Sequence, residues 1–190
     1  MEKTKVFISA GHYPKRPGVQ NKKLRLKEHF EAQKIIKLLV KKNDLQSPIE
    51  LVEVPPVTLR EKIDFIQSRE FAGSCAIEVH FNAFCSGQGE GIECLHYPGS
   101  SKGQFLAARL QDALSGLLPF PSRGLRDRED LYFISATSIP AVIVEPLFLD
   151  NDRAAGYLLY PRAHCLIAGA LYAGICAYVQ HYTPKGEKNK

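Results

Sequence analysis

Short runs of β-branched and aromatic residues alternate with longer segments of helical periodicity along this chain, and that alternation restricts the possible folds more than any other feature. Val6-Phe7-Ile8 and residues 49–54, 75–81, 91–97 and 141–144 are apolar stretches of strand length, bounded by Gly, Pro or charged residues. Between the first two, Ala32, Ile35, Ile36 and Leu39 repeat at helical spacing and predict a helix over about 27–42. Thr58 and Glu61 make a capping box that opens a helix over 59–71, with Leu59, Ile63 and Ile66 on one face. A third helix starts at Ser100 or Ser101 and is stopped near Leu117 by Pro119-Phe120-Pro121. Residues 131–134 read as a short strand and 152–160 as a short helix. A longer closing helix has Pro161 at its first position and ends near His181. This order predicts an α/β three-layer sandwich, with helices flanking a largely parallel (mixed) central sheet of about six strands.

With 190 residues, 45% of them hydrophobic, the chain can bury one sizeable core. We read residues 1–183 as a single domain and 184–190 as a basic tail. The least polar stretch, residues 165–179, falls short of the ~20 residues needed to cross a bilayer and reads as a buried helix without membrane insertion. Met1-Glu2-Lys3-Thr4-Lys5 runs straight into the first strand without a secretory h-region, so the chain is expected to be made in the cytoplasm. Five cysteines without a CxxC pair favour neither a disulfide framework nor a cysteine zinc site, and read as small core residues. The net charge of +5 is concentrated between residues 13 and 27, where Lys15, Arg16, Lys22, Lys23, Arg25 and Lys27 meet no acidic residue. Such a loop is either an ordinary solvated basic face or a site for an anionic polymer, nucleic acid or an acidic wall polymer. Without interleaved aromatic residues it makes no base-stacking platform, and nucleic acid is not the expected partner.

Ligands of open α/β sheets gather past the carboxyl ends of the strands. His12 follows the first strand, His80 ends the third, and Glu145 ends the run Ala141-Val142-Ile143-Val144. Glu28 lies four, seven and eleven residues before Ala32, Ile35 and Leu39, so it continues the inward face of its helix and needs a partner there. Two histidines and one carboxylate are the ligand set of many hydrolytic zinc sites, in which zinc lowers the pKa of a water to about 7. A further carboxylate then serves as general base and acid. Taken singly, each residue has an ordinary structural alternative; their joint placement is what points to a site.

These residues carry a resemblance. Ile8-Ser9-Ala10-Gly11-His12, Glu28, Glu78-Val79-His80-Phe81-Asn82-Ala83, and Pro140 to Glu145 followed by Leu147-Phe148-Leu149-Asp150-Asn151 resemble, in order, the motifs of the zinc-dependent N-acetylmuramoyl-L-alanine amidases. That group includes bacterial cell-separation amidases and many phage lysins. The resemblance implies one zinc ion on His12, Glu28 and His80, and Glu145 as acid and base. It implies hydrolysis of the amide between the lactyl group of N-acetylmuramic acid and the L-alanine of the peptidoglycan stem. Ser9 stands where the family usually has Asp, and Glu78 where a small polar residue is common. Two positions before His80, Glu78 shares its strand face and can orient the imidazole or make an ordinary salt bridge. Ser135 falls near a frequent family Arg, for which Arg123, Arg126 or Arg128 can substitute, and Pro146 stiffens the turn after Glu145. Asn82 and Arg123 are the candidate substrate contacts. His29, His96, His164 and His181 are read as packing or surface residues.

Two other readings stay open at this point: a zinc peptidase or carboxypeptidase acting on another wall amide, and a non-catalytic wall-binding module. The family reading implies peptidoglycan as partner, a monomer, and a phage or prophage lysin that reaches the wall after release.

Overall fold

The computed structural model describes residues 3–44 and 46–182; the basic tail 184–190 lies outside them. Six strands form the central sheet in the order β4 (Ile49–Glu53), β1 (Thr4–Ala10), β5 (Cys75–Val79), β8 (Ala141–Glu145), β6 (Ile92–His96), β7 (Ser122–Asp127). The first four are parallel; β6 runs antiparallel to β8 and parallel to β7. On one face, α1 (Glu28–Val40), α3 (Ser101–Leu117) and α6 (Ala163–Tyr182) cover Val6, Ile8, Ile77, Cys94 and Val144. On the other, α2 (Leu59–Gln67) and α4 (Tyr132–Ala136) cover Phe7, Ala76, Leu95 and Ile143. This is the expected three-layer sandwich with a mixed sheet.

Local chemistry accounts for the element boundaries. The capping box at Thr58 and Glu61 forms, with the Thr58 amide donating to Glu61 Oε2 at 2.9 Å. Ser100 caps α3 by accepting from the Gly103 amide. Helix α2 stops at Gln67 rather than residue 71, and Leu59 is 38% exposed while Ile63 and Ile66 are buried. Residues 131–134 do not form a strand. Tyr132–Ala136 is a single helical turn that seats Phe133 and Ile134 in the core, as five residues allow no readable period. Strand β7 takes the sheet edge instead, in a segment whose Arg123, Arg126 and Asp127 disguise it as a loop. Pro161 precedes α6 by two residues rather than occupying its first position.

Two expectations from composition are corrected. Helix α6 spans 20 residues and is, by length and composition alone, apolar enough to cross a membrane. The apolar run at residues 165–179 is shorter than that, but the helix that contains it, expected from Pro161 to near His181, runs from Ala163 to Tyr182. Core helices of the same length have the same composition, and here Ile167, Leu171, Ile175 and Tyr178 are buried against the domain. The cysteines are not uniformly core residues: Cys75 and Cys94 are buried, whereas Cys85 and Cys165 lie exposed on a loop and on the outer face of α6. A two-stranded hairpin, β2 (Gln20–Asn21) with β3 (Leu26–Lys27), carries the basic loop.

Candidate functional site

The carboxyl ends of β1, β5 and β8 are stitched side by side, because the Gly11 amide donates to Val79 and the His80 amide to Val144. This registration brings together residues separated by more than a hundred positions. His12 turns out of β1 in the left-handed region, φ 59°, a conformation costly for a non-glycine residue and common at functional sites. Its Nε2 stands 3.1 Å from Glu28 Oε2. His80 Nδ1 stands 2.8 Å from Glu28 Oε1. Glu28, at the first position of α1, is 1% exposed and also accepts from the Val19 and Phe81 amides. Gly18 passes so close that a β-carbon there would collide with the Glu28 carboxylate and the His12 ring. One ligand atom from each of His12, Glu28 and His80 falls within a 4.8 Å sphere of mutual distance.

Electrostatics favours a cation at this point. Burial raises the pKa of Glu28, yet hydrogen bonds and charge from His12 and His80 prevail and hold it at about 2. Burial likewise works against protonation of His80, but Glu78, Glu28 and Glu145 pull its pKa well above the ordinary range. Glu145 behaves in the opposite sense: burial pushes its carboxyl up to about 8, with Glu28, Glu93 and Glu78 adding to the rise and His80 opposing it. Its Oε2 is buried and without a hydrogen-bond partner among the described residues. Two imidazole nitrogens, an ionised carboxylate and an unsatisfied carboxyl oxygen beside them suit a divalent metal with a water next to it. The group opens into a cleft of about 320 Å³ walled by Leu59, Tyr132 and Phe133, with Arg16 at its edge.

The other predicted residues are placed differently. Asn82 donates to Glu93 Oε1 at 2.6 Å and accepts from the Ala83 amide. Arg123 donates to Glu93 Oε2 at 2.8 Å and lies over the Phe148 ring. Both candidate substrate contacts therefore converge on Glu93, the cross-strand neighbour of Glu145. Arg128 is held bidentately by Asp130, which leaves Arg126, 3.8 Å from Glu93, the least engaged of the three arginines. His29 is buried and bonds to the Gly11 carbonyl, a packing role. Glu78 contacts both Lys62 and His80, so its salt bridge and its contact with the imidazole coexist. Sequence reasoning did not single out Lys62 or Glu93. Each is a charged residue at an inward position, the signal that identified Glu28, but Lys62 is hidden by the strong apolar pattern around it.

Two histidines and a glutamate at the carboxyl edge of a parallel sheet, flanked by another glutamate, are the donor set and placement of metal-dependent hydrolases. The model of the N-acetylmuramoyl-L-alanine amidase family matches residues 6–177, and the chain belongs to that family. A cell wall amidase of Bacillus anthracis is 27% identical over 131 residues, covering 65% of this chain and 24% of its own length. The chain thus spans about a quarter of that curated relative. Among solved structures, N-acetylmuramoyl-L-alanine amidase from Clostridium difficile 630 superposes with a TM-score of 0.88 at 20% identity, over 96% of this chain and all of its own. The catalytic domain of CwlV from Bacillus (Paenibacillus) polymyxa var. colistinus gives 0.82 at 20% identity, over 93% and 98% of the two chains. The catalytic domain of the CD27L endolysin, targeting Clostridia difficile, gives 0.75 at 25% identity over 92% and 97%.

Proposed function

We propose that this protein is a zinc-dependent peptidoglycan hydrolase that cleaves the amide between the lactyl group of N-acetylmuramic acid and the L-alanine of the stem peptide. The observation that carries the reading is the convergence of His12, Glu28 and His80 beside the unsatisfied carboxyl of Glu145, in a chain of the amidase family. His12 Nε2, Glu28 and His80 Nδ1 would hold one zinc ion, which supplies Lewis-acid polarisation and a water acidic enough to react near neutral pH.

Glu145 does the proton work. Its Oε2 has no hydrogen-bond partner among the described residues, and its affinity for a proton near neutrality suits it both to accept and to return one. It takes the proton of the attacking water and delivers it to the alanine nitrogen as the C–N bond breaks. Leu59, Tyr132 and Phe133 make an apolar wall of the cleft against which the substrate would lie. Action on the cell wall as a lysin follows from the same reading, and the likeness to the CD27L endolysin domain supports it.

The test is digestion of purified peptidoglycan with and without chelator. New muramoyl lactate ends and N-terminal alanine, lost on chelation, are expected; cleavage inside the stem peptide would overturn the amidase reading. Glu145→Ala should retain zinc and fold but lose hydrolysis by 10²-fold or more, in the range of about 10²–10⁴ for general acid-base groups. His80→Ala should lose bound zinc.

A further inference from the structure

We propose that the buried ion pair of Lys62 and Glu78 is a positioning device that holds the His80 imidazole in its metal-binding orientation. The inference rests on the reading of His12, Glu28 and His80 as ligands. An imidazole ligand needs one nitrogen free toward the metal and the other anchored behind it. His80 meets both conditions: Nδ1 faces Glu28 on the cluster side at 2.8 Å, and Nε2 faces Glu78 Oε2 at 3.1 Å on the opposite side. A half-turn of the ring would put carbon atoms at both places and lose both contacts. A proton on Nε2, donated to Glu78, leaves the Nδ1 lone pair for the cluster.

Glu78 can play this part only if something offsets the cost of burying its charge. It is 3% exposed, and Lys62, 1% exposed, supplies the countercharge at 2.8 Å from Oε1. Lys62 also donates to the Ala10 carbonyl at the end of β1, and Ser9 Oγ donates to Glu78 Oε1 at 3.3 Å. The two oxygens of Glu78 thus divide their work: Oε1 is held by Lys62 and Ser9, which fixes the plane of the carboxylate, and Oε2 is aimed at His80. An ion pair that served packing alone would have no need to address its second oxygen to a histidine. Lys62 is fixed in turn by Ile63 and Ile66, which seat α2 on the sheet. The helix on the far face of the sheet is in this way coupled to a ligand of the cluster.

The experiment measures zinc affinity by competition with a chromophoric chelator in the whole protein, alongside imidazole nitrogen NMR and thermal unfolding. Glu78→Gln offers a single oxygen that can serve either the lysine or the imidazole, and should weaken zinc binding about 10- to 100-fold, the usual effect of removing such a partner. In the NMR spectrum of the zinc-loaded protein the Nε2 proton of His80, hydrogen-bonded to the Glu78 carboxylate in the unaltered chain, should move upfield and exchange faster with solvent. Lys62→Met leaves an uncompensated carboxylate and can fail to fold; the double variant Lys62→Met/Glu78→Gln removes both charges and keeps the test open. The double variant should bind zinc about as weakly as Glu78→Gln alone, because the two residues act as one unit. Wild-type zinc affinity in folded Glu78→Gln or in the double variant overturns the proposal, as does a fall in melting temperature with an unchanged affinity and an unchanged Nε2 proton signal. His80→Ala separates the two levels: if it keeps full zinc affinity, the ligand assignment itself is wrong, and if it alone loses zinc, only the positioning role is.

Discussion

Glu145 and Glu28 sit in one cluster, yet burial and charge move them in opposite directions, and the metal-free protein should reveal this as a pH dependence of stability. The Glu145 carboxyl rises from 4.5 to about 8 on folding. The folded state therefore holds that proton more tightly than the unfolded one, and the associated stability, complete below about pH 4.5, is lost as the pH rises toward 8. Glu28 falls from 4.5 to about 2, so its contribution is present above 4.5 and lost as the pH drops toward 2. In chelator-treated protein, Glu145→Gln should flatten the decline in urea midpoint between pH 5 and 8 while leaving the acid limb intact; an unchanged alkaline slope would count against the burial of this carboxyl. Glu28 was legible as a site residue because an inward-facing charge on an apolar helix face needs a partner. His12, His80 and Glu145 were legible because strand ends are where open sheets gather ligands. The partners of those residues were not, since Lys62 and Glu93 take their meaning from neighbours on other strands and helices, and sequence spacing says nothing of which strands lie side by side.

At the level of elements, apolar periodicity carried over into the structure in α1 and start and stop signals did so in α3, whereas pattern failed where an element is short or lies at the edge. Among the described residues strand β7 pairs only with β6 and shows solvent its charged residues, as protected edge strands do, so no alternation of apolar residues marks it. The single turn α4 is held by two buried side chains rather than by propensity. Helix α6 shows how much packing adds to pattern. Gly174 lies against α3, where a β-carbon would come within 2.9 Å of the Arg109 carbonyl and the Leu110 α-carbon, whereas Gly169 on the same helix has open space around it. Alanine is the better helix former by about 1 kcal/mol at either place. Gly169→Ala should therefore raise the melting temperature. Gly174→Ala should lower it, since forcing two backbones apart costs about 1–3 kcal/mol and outweighs that gain. Calorimetry of the two variants checks the close approach of α3 and α6, and stabilisation by both would show that the helices are not in backbone contact.

For the molecule as a whole, the net charge of +5 acquires a location. Asn21 ties the β2–β3 hairpin to the Leu149 carbonyl and to Asp152, and Lys23 pairs with Asp152 at 2.6 Å, so the basic segment is anchored near the end of β8 that bears Glu145. Lys15, Lys22 and Arg25 are exposed around it and have no ion-pair partner among the described residues. A cationic rim between two proposed metal ligands should draw the domain onto an anionic wall and set it down with the cleft facing its substrate. The consequence separates binding from chemistry. The triple variant Lys15→Gln, Lys22→Gln, Arg25→Gln should bind isolated cell walls several-fold more weakly than the unaltered protein in dilute buffer. The difference should vanish in ~1 M salt, where the screening length falls to about 3 Å. On a soluble muropeptide its kcat should be unchanged, because none of the three side chains belongs to the His12, Glu28, His80 and Glu145 cluster. Equal wall binding by the two proteins at low salt would mean that this rim does not recruit the enzyme, and that adhesion to the wall comes from contacts within the cleft itself.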